Sequence, residues 1–213
     1  MNFTNTLQNN RMGDFSWSEF LAGSAVAKLV EEIVRYRRRK LESKIDMASN
    51  ARDIADVHRI MESIVKDTYF DSFLINYAED SAGVLAAGKN LYVTCQYEKI
   101  SSENEALKPI QDEIQRWKAD TQYYDVFSEM LTKGKVTINT ELMPDSKLKD
   151  VYIMQGVKIA KLYHLMTTRD SSKVFFCSIA STVVEEAKAD DRFLIDSAVD
   201  RLTNIFQKHR KFY

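Results

Sequence analysis

The chain has 213 residues, of which 45% are hydrophobic, 29% charged and 11% aromatic. That balance excludes collagen-like, low-complexity and broadly disordered classes and supplies enough apolar side chain for a packed core. Thirty basic residues stand against 31 acidic ones, a formal net charge of −1, so no global field draws the protein to nucleic acid or to a membrane. Only six glycines and two prolines occur, where average usage would supply roughly 25 together. Loops are therefore expected to be few or short, and the breakers crowd the middle: Gly83, Gly88, Pro109, Gly134, Pro144 and Gly156.

Residues 1–14 are polar, lack the basic and apolar regions of a signal peptide, and read as a flexible N-terminus. Residues 15–49 read as a helical arm. Val26, Leu29, Val30, Ile33, Val34, Leu41 and Ile45 recur at steps of three and four, which lines them along one stripe. The run Phe20–Val34 carries Lys28, Glu31 and Glu32 and falls short of the ~18 uncharged residues of a spanning helix. No transmembrane segment is expected.

From residue 50 to 213 the pattern is α+β. A second helix is expected through Ile54, Val57, Ile60, Met61 and Ile64. The segment YFDSFLINY then alternates Phe73, Ile75 and Tyr77 against Ser72, Leu74 and Asn76, and NLYVTCQY alternates Leu91, Val93, Cys95 and Tyr97 against Tyr92, Thr94 and Gln96. Together they predict an antiparallel hairpin. Ser101 to Lys133 reads as helix, opened by a capping-box-like Ser102 and Glu105 and closed at Gly134. A short strand KVTINTEL, a helical turn from Ser146 to Met154, and two β-rich runs joined by TRDSS follow. The chain closes on an amphipathic helix through Leu194, Ile195, Ala198, Val199, Leu202, Ile205 and Phe206.

Two hairpins, a helical crossover and a closing helix resemble the GAF domain. The segments that carry the likeness are GKVTINTELM, GVKIAKLYHLMTTRDSSKVFFCSIAS and ADDRFLIDSAVDRLTNIF, and the likeness covers about three quarters of the chain. It implies a mixed, mainly antiparallel sheet of five or six strands with flanking helices, preceded here by the long N-terminal helix. The first and last strands would then be neighbours, with Phe73, Ile75, Phe176 and Ile179 central. A ligand-sized cavity would lie between the sheet and the Ser101 to Met154 region. The NKxxFxxxDE pattern of cyclic-nucleotide GAF domains is absent, and neither cysteine stands where a bilin would attach, so no particular cofactor is implied.

The chemistry-bearing residues are sparse. His58, His164 and His209 are isolated, without the spacing that gathers metal ligands. No phosphate loop, nucleophile elbow or dinucleotide fingerprint occurs, so no catalytic, cofactor or metal site is assigned and the chain reads as non-enzymatic. Cys95 and Cys177 lie inside apolar runs, which fits reduced core thiols in a cytoplasmic protein. Acidic pairs, Glu31 with Glu32, Glu185 with Glu186 and Asp190 with Asp191, read as solvated faces and helix starts.

Two surfaces remain. Arg35, Arg37, Arg38, Arg39, Lys40 and Lys44 give residues 35–44 a net charge of +5 and leave −6 for the remainder. Such a helix segment could meet an acidic protein partner, anionic lipid or the phosphates of nucleic acid, although no aromatic interleaving or DNA-reading motif accompanies it. The stripe Val26, Leu29, Val30, Ile33 and Val34 must either fold back on its own domain or pair with another chain, because an isolated helix gains most of its stability by burying such a face. GAF-like modules commonly dimerise through flanking helices. The expectation is therefore a regulatory or sensory module that dimerises through coiled-coil N-terminal helices and binds a partner or small ligand, the alternative being a nucleic-acid-binding adaptor.

Overall fold

The computed structural model describes residues 50–80, 90–104, 107–184 and 189–209. Asp53–Tyr213 forms one compact unit. Helix α1 spans residues 50–67 and buries Val57, Ile60, Met61, Ile64 and Val65, the three-and-four spacing expected of one helical face. Thr68 ends it: its hydroxyl donates back to the Ile64 carbonyl at 2.6 Å and accepts the Phe70 amide at 3.2 Å.

Six strands then build one sheet in the order β3-β2-β1-β6-β5-β4. They are β1 (Ser72–Asp80), β2 (Leu91–Ile100), β3 (Trp117–Lys118), β4 (Lys135–Asn139), β5 (Ile159–Thr167) and β6 (Lys173–Ser181). First and last strands are neighbours, as the resemblance implies, and Phe73, Ile75, Phe176 and Ile179 are all at most 1% exposed. Every strand pair is antiparallel, so the sheet is not mixed. The β5–β6 hairpin turns through Ser171 in the left-handed region (φ 57°), with Asp170 accepting from Thr168 Oγ1 at 2.7 Å and from the Ser172 amide at 3.0 Å. These are the self-bonding turn residues that TRDSS supplies.

Each sheet face carries its own core. On one, Phe73, Ile75, Phe175, Cys177 and Ile179 pack against α1 and against Ile195, Ala198, Leu202 and Phe206 of α4 (Ala189–His209). On the other, Ala78, Leu91, Val93, Leu162 and Phe176 pack against Tyr123, Phe127 and Met130 of α2 (Thr121–Lys133) and against Leu148 and Tyr152 of α3 (Lys147–Met154). Period-two alternation along the strands distributes residues between the two layers.

Two expectations are corrected. Residues 101–104 and 107–116 are not helical: they run as turns and irregular chain, and helix begins only at Thr121. Pro109 disfavours helical backbone at Lys108 and lacks an amide of its own. The Glu98 carboxylate moreover takes the amides of Ile110 and Gln111, at 2.8–3.0 Å, that a first helical turn would present. The alternation of β2 is also broken. Ile75 pairs with Tyr97 but Asn76 with Cys95, so Gln96 is an extra residue. This bulge reverses the phase of the strand beyond it. Tyr97 consequently packs with the α1–α4 core instead of sharing a face with Leu91, Val93 and Cys95.

Candidate functional site

The α2–α3 face of the sheet encloses a cavity of about 60 Å³. Its floor is the sheet itself, with Ser72, Leu74 and Asn76 of β1 and Phe176, Ser178 and Ala180 of β6. Its walls come from Tyr123 and from Leu148, Val151 and Tyr152 on α3, and its roof from Leu107, Ile110, Ile114 and Trp117. This is the location expected from the resemblance, between the sheet and the Ser101 to Met154 segment. The roof is a strap of irregular chain rather than a helix.

Side-chain to backbone bonds and one backbone–backbone bond along the edge of β2 hold the strap. Glu98 takes the Ile110 and Gln111 amides; Gln111 Nε2 donates to the Gln96 carbonyl at 2.8 Å and Gln115 Nε2 to the Cys95 carbonyl at 3.0 Å, and the Cys95 amide bonds the Ile114 carbonyl at 2.8 Å. The Gln96 bulge makes this possible, because it turns Glu98 and Ile100 onto the same face as Leu74 and Ser72. Sequence reasoning missed Glu98, since a strand that kept its phase would place it opposite the cavity. At the strap's end, Arg116 adopts a positive φ of 51° while its amide bonds Thr94 Oγ1 at 3.2 Å and its guanidinium lies 5.1 Å from the Tyr92 ring centroid.

The lining is apolar apart from a few groups. Asn76 is 4% exposed, and its Oδ1 is buried without a hydrogen-bond partner, an exception among buried polar groups. Burial raises the Tyr123 phenol well above its ordinary range, with Tyr152 beside it adding to the effect. Burial pushes the Tyr152 phenol up to about 12, a bond with Ser178 working the other way. Both phenols are therefore protonated near neutral pH. The one carboxylate at the rim, Glu98, is occupied with backbone amides, and the Cys95 thiol nearby is pushed up to about 12, first by burial and then by the Glu98 charge. The groups gathered here can accept and donate hydrogen bonds but include no activated nucleophile with a base beside it.

The remaining residues singled out from sequence disperse. Cys177 is fully buried in the α1–α4 core, and burial raises its thiol. His58 is exposed on α1, edge-on to Tyr97 with ring centroids 5.3 Å apart. His164 lies on β5 with Nε2 3.0 Å from Thr167 Oγ1, and burial lowers its pKa. His209, at the end of α4, bonds Asp53 at the start of α1. Among the described residues no group of three His, Cys, Asp or Glu side chains could hold a metal ion. The basic residues Arg35, Arg37, Arg38, Arg39, Lys40 and Lys44 and the stripe Val26, Leu29, Val30, Ile33 and Val34 lie outside the described residues, as do Glu31, Glu32, Glu185 and Glu186. No described helix is long and apolar enough to cross a membrane.

No family model matches the sequence, and no curated protein matches it. Solved structures do match the fold. A GAF domain region from Geobacter sulfurreducens PCA superposes with a TM-score of 0.51 at 12% identity, covering 76% of this chain and 97% of that one. A GAF domain/HD domain protein from Geobacter sulfurreducens superposes with a TM-score of 0.50 at 8% identity, covering 75% of this chain and 94% of that one. The strand order β3-β2-β1-β6-β5-β4, the helices on both faces and these likenesses together identify the fold of the domain as GAF-like.

Proposed function

We propose that this chain is a non-catalytic regulatory module that senses a small, mostly apolar ligand carrying one hydrogen-bond donor, taken up beneath the 107–116 strap. The observation that carries the reading is the partnerless Oδ1 of Asn76, in a side chain that lines an otherwise apolar cavity. Leaving such an acceptor buried costs about 1–3 kcal/mol, a cost that a ligand N–H or O–H would offset. At about 60 Å³ the cavity has room for only about two water-sized groups, whereas sites for drug-sized ligands run to about 300 Å³ or more. Anything larger enters by displacing the strap, and that displacement is the natural signal. The protonated Tyr123 and Tyr152 phenols and the occupied Glu98 carboxylate support binding over catalysis. Association through residues 15–49 into a dimer completes the proposal and rests on the apolar stripe Val26, Leu29, Val30, Ile33 and Val34.

Trp117 lines the cavity and is one of two tryptophans in the chain, so a Trp17→Phe background leaves it as the reporter. Titrating phenol, indole and small primary amides should give a saturable change in its emission with at least one of them, weakened about tenfold or more by Asn76→Leu. Asn76→Leu keeps the side-chain volume and removes the orphaned acceptor, so the unliganded variant should be as stable as its parent or more so. Responses that never saturate, or that Asn76→Leu leaves unchanged, would overturn the ligand reading.

A further inference from the structure

On the opposite side of the sheet from the ligand cavity, a concavity of about 210 Å³ opens between β4, β5 and α4. Lys135 and Thr137 occupy the outward positions of β4, whose alternate residues Val136 and Ile138 are buried in the other layer. Lys135 pairs with Tyr163 and Thr137 with Lys161, so the two lysines are diagonal neighbours, roughly 7–8 Å apart at the backbone. From above, α4 contributes Arg192 and Asp196, four residues apart and thus on one side of the helix. Ile195 between them is buried at 1% exposure, which turns that side toward the sheet.

Three cations therefore share one small concavity. Among the described residues none of Lys135, Lys161 and Arg192 forms an ion pair. Asp196 and Asp191 favour the charged form of Lys161 from a distance, but burial, Arg192 and Lys135 outweigh them and lower its pKa. The Lys161 ammonium is also held in place, 5.3 Å from the centroid of the buried Phe70 ring. Burial raises the pKa of the Tyr163 phenol, so it remains a donor at neutral pH. Three mutually repelling cations, set against the single carboxylate of Asp196 and with hydroxyl donors beside them, are complementary to an oxyanion, which relieves the repulsion and accepts from a guanidinium fork and ammonium groups together.

We propose that this concavity is an anion site for a small phosphate-bearing ligand, phosphate itself or a phosphate monoester, held by Arg192, Lys135 and Lys161 with the Tyr163 and Thr137 hydroxyls as further donors. The site is separate from the cavity around Asn76, because the full thickness of the sheet lies between the two layers that hold them. It stands or falls independently of the ligand reading.

The test is calorimetric titration of the full chain with inorganic phosphate and with glycerol phosphate, chloride being adjusted to keep ionic strength constant. The expected result is saturable binding with half-saturation at or below about 10 mM, weakened about tenfold by Arg192→Gln and by Lys161→Gln. Lys118→Gln, an exposed cation on β3, should leave binding unchanged, and Lys135→Gln serves as a second variant should either of the first two misfold. No response beyond that of chloride, or phosphate binding indifferent to all three site variants, would overturn the proposal. Association with phosphatidylglycerol vesicles without any response to soluble phosphate would overturn it as well, since that marks a basic surface rather than an enclosed site.

Discussion

Among the polar residues of the α1–α4 layer, Asp53 shows most clearly how charge and packing combine. Its carboxylate takes Lys208 Nζ at 2.8 Å and His209 Nε2, joining the start of α1 to the end of α4. Burial by itself would raise the carboxyl pKa, but the hydrogen bonds from Lys208 and His209 outweigh burial and hold it below the ordinary carboxylate range. A depressed carboxyl contributes stability that is fully present above its unfolded value, about 3.9, and is lost as pH falls through the lower folded value. Asp53→Asn should therefore cost about 1 kcal/mol at pH 7, or roughly 2–4 °C in Tm for a chain of this size. The gap between the two proteins should close as pH is lowered below about 4. Thermal melts from pH 7 down to pH 3 check it, and a gap that stays constant would assign the effect to packing rather than to charge.

At the scale of elements, one carboxylate organises the wall of the cavity. Asp120 Oδ1 caps α2 by accepting the Tyr123 amide at 2.9 Å, and Oδ2 accepts the Lys147 amide at the first residue of α3 at 2.8 Å. The two helices that bear Tyr123 and Tyr152 are thus tied at their N-termini through a single side chain. Losing one cap costs about 1 kcal/mol, so Asp120→Ala should cost about 2 kcal/mol and Asp120→Asn, which keeps one oxygen, about half as much. Urea melts of the three proteins measure this; equal losses for Ala and Asn would show that only one of the two bonds matters. How far these elements were legible depends on the range of the forces that set them. Alternation along Phe73, Ile75 and Tyr77, the stripe of α4 and the TRDSS turn are written in local periodicity, and each was read from it. The Gln96 bulge and the full extent of the non-helical strap were not: Pro109 is the one local mark against helix there, and the bulge shows only in the pairing of β2 with β1, which brings Glu98 to the Ile110 and Gln111 amides of a separate segment. Asn76 could be placed on its strand face from alternation alone. That its Oδ1 lacks a partner is visible only once β6, α3 and the strap have closed around it.

For the molecule as a whole, the two faces of the sheet divide the labour: a small cavity beneath the strap on one side, and α1 with α4 on the other. On the proposed ligand reading, a signal generated at the strap would have to reach a surface that other molecules can read, and the proposal assigns that role to the stripe at Val26, Leu29, Val30, Ile33 and Val34. On the proposed reading, in which the periodicity of Val26, Leu29, Val30, Ile33 and Val34 makes one helical stripe, each side chain gains about 1.5–3 kcal/mol of transfer free energy when covered, which favours pairing of two arms over leaving the stripe in water. The full chain is accordingly expected to be a dimer at micromolar concentration. Leu29→Asp combined with Ile33→Asp places two charges in the middle of the seam and should convert it to a monomer. The far-UV signal and melting of the 50–213 domain should be retained, because its core lies in Val57, Ile60, Phe73, Ile179 and Leu202, remote in sequence from the arm. Sedimentation velocity across a hundredfold concentration range decides the matter: a wild-type chain that remains monomeric, or a double variant that remains dimeric, would remove the arm from the mechanism and leave the domain's own surfaces to carry its signal.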